Sequence, residues 1–132
     1  MSENLSYKLS QITLLNSSFK REETINFDDE IRNFVNIEID DTQEGLNLSV
    51  GLNVSITGKI DENIVFEISA YLVGVFEVSE NVEISHATFI KYNAPAIILP
   101  FAREHISNIS LKGGLTPVLL PIINFSQNDH AE

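Results

Sequence analysis

The stretch "LNLSVGLNVSIT" sets Leu46, Leu48, Val50, Leu52, Val54 and Ile56 in strict alternation with Asn47, Ser49, Gly51, Asn53, Ser55 and Thr57. Successive side chains of an extended chain point to opposite faces, so this period of two predicts a strand with one buried face and one wet face. The strand is roughly twice the usual length of five or six residues. "GKIDEN" follows as a turn, and alternation resumes through Ile64, Phe66 and Ile68, which predicts a long antiparallel hairpin. Upstream, "NFVNIEID" alternates through Val35, Ile37 and Ile39. "LSYKLSQITLL" alternates through Leu5, Tyr7 and Leu9, then slips phase to Ile12 and Leu14, the mark of a bulge. Between these two strands "REETINFDDEIRNF" holds neither period and reads as a loop or crossover.

The pattern changes after Phe76. "ENVEISHATFIKYNA" has room for a short helical piece, and Ile98, Ala102, Ile106 and Ile109 then recur at helical spacing beside Phe101. Arg103, Glu104, Ser107, Asn108 and Lys112 fall on the other side, and Gly113 and Gly114 mark the stop. The helix opens either at Pro95 with a kink at Pro100, or at Pro100 itself. Pro95, Pro100, Pro117 and Pro121 are all the prolines of the chain, and they lie in its two most apolar runs. Those runs are therefore the segments least able to enter a central strand. The order of four strands followed by a helix predicts an α+β domain, a four-stranded antiparallel sheet packed by a long amphipathic helix. Asn, Ser and Thr are expected on the open face. Residues 1–125 form the expected domain, and "SQNDHAE", residues 126–132, a polar tail.

Composition narrows the function. Eight Lys and Arg against nineteen Asp and Glu give a net charge of -11, which opposes nucleic acid and anionic membrane surfaces. No cysteine is present, which fits a reducing interior. No apolar run approaches the roughly 18 residues of a membrane span, so a cytoplasmic protein without membrane insertion is expected. The spacings of a nucleophile elbow, phosphate loop, dinucleotide fingerprint or zinc-protease helix do not occur. His86, His105 and His130 lack partners at ligand spacing, and "DDE" at Asp28 to Glu30 lacks the pattern of a calcium loop. No catalytic, cofactor or metal site is expected, and hence no enzyme. The arm "LTPVLLPIINF" remains: it packs over its own core or a neighbouring subunit, or it binds other chains.

"NAPAIILPFAREHISNISLKGG" followed by "PVLLPIINF" resembles the signature of the SecB protein-export chaperones, with Pro95, Pro100, Ala102, Arg103, Glu104, Gly113, Asn124 and Phe125 in order and "GVF" at Gly74 to Phe76 ahead. The resemblance implies an ATP-independent holdase that keeps unfolded or precursor polypeptides in apolar grooves, uses no cofactor and forms a homo-oligomer, a dimer or a dimer of dimers. Phe27, Ile31 and Phe34 in the crossover and Leu115, Val118, Leu119 and Ile122 in the arm are the client-binding candidates. Ile98, Phe101, Arg103, Glu104, Ile106 and Ile109 are candidates for the subunit interface or for a structural signature. Where the family carries an aromatic residue in the crossover, Ile31 stands here. The resemblance also implies the SecA motor as a partner, against which stand Asn16, Lys20 and Ser69 at the family's acidic docking positions, and the seven polar residues after Phe125 in place of a second helix and acidic tail. Two other roles compete: a dedicated chaperone of one partner, such as an antitoxin, and a structural self-assembly module.

Overall fold

The computed structural model describes residues 7–79 and 86–120. Four strands, β1 (Tyr7–Arg21), β2 (Arg32–Glu44), β3 (Asn47–Ile60) and β4 (Asn63–Val78), form one antiparallel sheet in the order β1-β4-β3-β2. A short helix α1 (His86–Thr88), a π-helical turn (Phe89–Asn93) and the long helix α2 (Ala94–Lys112) follow. The expected α+β architecture is the one observed.

The alternating stretch builds the centre. Leu48, Val50, Leu52, Val54 and Ile56 of β3 are at most 1% exposed. They pair in register with Phe76, Gly74, Leu72, Ala70 and Ile68 of β4. α2 lies over this surface, with Ile98, Ala102 and Ile106 fully buried against it. The approach is close at Gly74, where an added Cβ would come within 3.2 Å of Ile98. Leu46 departs from the expected alternation: it sits in the turn beside Gly45, whose φ is +61°, and is 53% exposed. The β3–β4 turn is likewise made by a left-handed residue, Asp61 at φ 53°, one of the polar types that tolerate this region.

β1 bulges twice against β4, between Leu9 and Gln11 and between Leu14 and Asn16. The first is the phase slip of the sequence. Its extra residue, Ser10, donates its hydroxyl to the Val75 carbonyl at 3.0 Å. The helix end resolves with equal clarity. Gly114 adopts φ +77°, its N–H reaches the Leu111 carbonyl and the Leu115 N–H reaches that of Ser110, both at 3.0 Å. This is a Schellman closure, which needs a left-handed residue. Gly113 serves a different end, since a Cβ there would collide with the ring of Phe19. Pro95 sits in the first turn of α2 and Pro100 lies inside it, which decides between the two helix starts.

Candidate functional site

Because β1 and β2 are opposite edges of the sheet, the chain between them must cross the end of β4 and β3, about 14 Å at the usual strand spacing. The crossover begins with Glu22, whose N–H bonds the Val65 carbonyl at 2.8 Å. It bends at Asn26, whose side-chain oxygen accepts from Asp28 N–H at 3.1 Å and whose carbonyl accepts from Asp29 N–H at 3.2 Å. Ile25 is 8% exposed and roots this segment in the core.

The arm after α2 runs past the same end of the sheet. Ser110, fully buried, fastens it: the hydroxyl donates to the Ser107 carbonyl at 2.8 Å and accepts from Val118 N–H at 2.9 Å. Leu115, Val118 and Leu120, all 5–6% exposed, point inward. Pro117 has no N–H to offer, and the described part of the arm, residues 115–120, takes no place in the sheet.

Crossover and arm enclose a groove of about 390 Å³, with Phe27, Asp29 and Ile31 of the crossover and Asn33 of β2 from one side, Leu115, Thr116, Pro117, Val118 and Leu119 from the other, and Phe66 of β4 completing the lining. Five of the seven client candidates meet here: Phe27, Ile31, Leu115, Val118 and Leu119. Phe27, 51% exposed, and Leu119, 71% exposed, offer the most surface, whereas Leu115 and Val118 line the groove while anchoring the arm. The crossover is acidic: Glu22, Glu23, Asp28, Asp29 and Glu30 are all exposed, and Asp29 lines the groove.

Phe34 does not join them. The sequence places it in the crossover, but β2 begins at Arg32, and Phe34 pairs with Thr57 on the sheet face opposite the core. There two cations lie near its ring, Arg32 at 5.6 Å and Lys59 at 5.3 Å. The acid-interrupted sequence hid the strand start. Ile122, Asn124 and Phe125 and the tail 126–132 lie outside the described residues. Phe66, Asp29 and Asn33 were not singled out from sequence, since Phe66 reads as an ordinary inward strand residue.

The helix candidates divide by burial. Ile98 and Ile106 have no exposed surface to give another subunit and belong to the chain's own core. Arg103 and Ile109 are half-buried, Glu104 is exposed, and Phe101 is 49% exposed on a ridge with Ile97 and Leu111. His105 is half-buried and its Nε2 lies 2.7 Å from the Ser17 hydroxyl of β1. Among the described residues no group of three or more His, Cys, Asp or Glu is placed to hold a metal ion, and no helix is long and apolar enough to cross a membrane.

The open face of the sheet carries Ser18 and Ser69, whose hydroxyls lie 2.6 Å apart, in the row between Asn16–Tyr71 and Lys20–Glu67. The three positions at issue for SecA, Asn16, Lys20 and Ser69, therefore share the face away from α2.

Comparison with known proteins bears on this arrangement. A search of solved structures finds a SecB-like chaperone of Mycobacterium tuberculosis, determined in complex with a peptide from the HigA1 antitoxin, that superposes with a TM-score of 0.80 over 90% of this chain and 91% of the other at 11% identity. That likeness speaks to the fold. Among curated proteins, the protein-export protein SecB of Methylococcus capsulatus is 35% identical over 88 residues, 67% of this chain and 56% of the relative. That of Orientia tsutsugamushi is 26% identical over 113 residues, 86% of this chain and 68% of the relative. The chain spans about half the length of several curated relatives it matches, 46–56% for three of them. The family model described as preprotein translocase subunit SecB matches residues 16–128, which takes in the end of β1, the other three strands, crossover, helix and arm, and the chain belongs to the SecB family.

Proposed function

We propose that this chain is an ATP-independent holdase that takes apolar segments of unfolded or precursor polypeptides into the groove between crossover and arm, in the service of protein export from the cytoplasm. The observation that carries the reading is the convergence of Phe27, Ile31 and Leu119 on one open groove, made by segments that stand outside the sheet. Burying about 400 Å² of client and groove apolar surface gains roughly 10 kcal/mol gross. Association costs about 4–15 kcal/mol. One groove alone therefore binds weakly and releases readily, and capture tightens when sister subunits offer several grooves to one chain. We assign the exposed ridge of Ile97, Phe101 and Leu111 on α2 to such a contact between copies, as a dimer or a dimer of dimers. The acidic crossover steers basic segments toward the groove and keeps the complex soluble. Nothing in this cycle asks for a catalytic group or a nucleotide. Against SecA as the receiver stand Asn16, Lys20 and Ser69, which carry no negative charge.

A purified precursor diluted from denaturant tests the proposal. Its aggregation should slow in proportion to added protein, with no change on addition of ATP; an unaltered aggregation rate at excess protein would reject it. The structural neighbour's antitoxin peptide supports a second reading, a chaperone dedicated to one partner. Protection of a single client among many tried would favour that version.

A further inference from the structure

Arg21 ends β1 where the chain leaves the sheet for the crossover. Its Nη1 donates to the Gly113 carbonyl at 2.7 Å, Nε to the Glu22 carbonyl at 2.8 Å and Nη2 to the Glu23 carbonyl at 3.3 Å. Its Cζ also lies 5.8 Å from the centre of the exposed Phe27 ring. One half-buried side chain thus ties the start of the crossover to the end of α2, from which the arm departs, and braces an aromatic residue of the groove. The chemistry suits the place. Carbonyls at a helix C-terminus carry unbalanced negative charge, and a guanidinium is permanently charged and presents its donors in a rigid fork. A lysine has three donors but presents them all from one nitrogen, without the fork that reaches three separate carbonyls. Arg21 and Gly113 are 92 residues apart, so no local signal announces the contact.

We infer that Arg21 is a positioning residue of the groove: it locks crossover to arm and holds the gap between them before a guest arrives. The consequence for binding rests on the holdase reading, while the locking of the two walls does not. A groove held in its competent shape binds at full affinity, and one competent a tenth of the time binds about tenfold more weakly.

The test compares the full-length chain with Arg21→Ala and Arg21→Lys. Amide hydrogen exchange is followed first, without client. Exchange should accelerate in Arg21→Ala at Asp28, Asp29 and Val118, whose N–H groups are bonded in crossover and arm, and stay unchanged at the centre of β3 and β4. Reduced, carboxamidomethylated lysozyme, a basic chain unable to refold, then serves as client. Its affinity should fall about tenfold in Arg21→Ala and recover in part in Arg21→Lys. Wild-type exchange at those three amides in both variants would overturn the inference, as would faster exchange spread evenly over the sheet. Local acceleration with unchanged affinity would overturn its binding half. A wild-type chain that ignores the client refutes the holdase reading instead, and exchange still decides the role of Arg21. Should Arg21→Ala fail to fold, Arg21→Lys must itself exchange faster at the three amides than wild type.

Discussion

Tyr71 on β4 donates its hydroxyl to both carboxylate oxygens of Asp40 on β2, each at 3.0 Å, across the intervening β3. The bridge exists because Gly51 lies between them; a Cβ there would collide with Asp40 and with the phenol. Burial, then the hydrogen bond to Asp40 and its negative charge, raise the pKa of Tyr71 above its ordinary value of 10.0. The folded state then keeps the proton longer than the unfolded one. The stabilisation is complete below pH 10 and is lost as pH rises through the higher folded value. Tyr71→Phe should therefore lose less stability than wild type between pH 10 and 11, read from urea midpoints, while Tyr7, raised by burial, leaves a residual slope. A second glycine bears on function. The Phe66 ring lies directly on Gly58, so a methyl group there must displace Phe66, one of the side chains that line the groove. Gly58→Ala is expected to cost about 1–3 kcal/mol in urea unfolding. Both glycines were visible in sequence as breaks in apolar or polar alternation, but their neighbours belong to other strands and were not.

Among the elements, α2 shows how a helix tolerates an interior proline. Pro100 and the residue four before it, Ala96, are both exposed, so the carbonyl that loses its donor meets water. An interior proline ordinarily costs about 3 kcal/mol. Here Pro100→Ala should change stability by no more than about 1 kcal/mol in denaturant titration; a gain near the full figure would show that the site is strained. The spacing of Ile98, Ala102 and Ile106 made the helix and its buried face legible, and Gly113 with Gly114 its end. The π-helical turn was not legible, because it serves a tertiary purpose: Phe89 within it is 5% exposed, stacked on Tyr7 at 3.7 Å and edge-on to Phe76 at 5.0 Å. The start of β2 was lost for a similar reason. Arg32, Asn33 and Phe34 break the apolar alternation, and only their pairing with Lys59, Gly58 and Thr57 makes them a strand. The arm's fastening belongs to this scale as well. Ser110→Ala strands the buried Val118 N–H without its acceptor, and should cost about 1–3 kcal/mol while loosening the arm first, as hydrogen exchange at Val118 would reveal.

For the whole molecule, the strand order β1-β4-β3-β2 is what makes a groove possible. Pairing β1 with β4 puts the two ends of the crossover on opposite edges, so its apolar residues are carried across the foot of the sheet to meet the arm. Sequence supplied the participants, Phe27, Ile31, Leu115, Val118 and Leu119, through their exclusion from strands and the family resemblance. It did not supply the meeting, which depends on long-range pairing and on Arg21. α2 covers β4 and β3 and leaves β2 outside, so Val35 at 38% and Ile39 at 36% exposure extend apolar surface beyond the helix. The central claim is that the groove receives guests through the surface offered by Phe27 and Leu119. Its most direct test is the affinity of the double variant Phe27→Ser/Leu119→Ser for reduced, carboxamidomethylated lysozyme. Covering one such side chain fully is worth about 1.5–3 kcal/mol, so the pair should lower affinity at least about tenfold, with the unfolding midpoint unchanged because both are exposed. Equal affinity of the double variant and the wild-type chain would contradict the account.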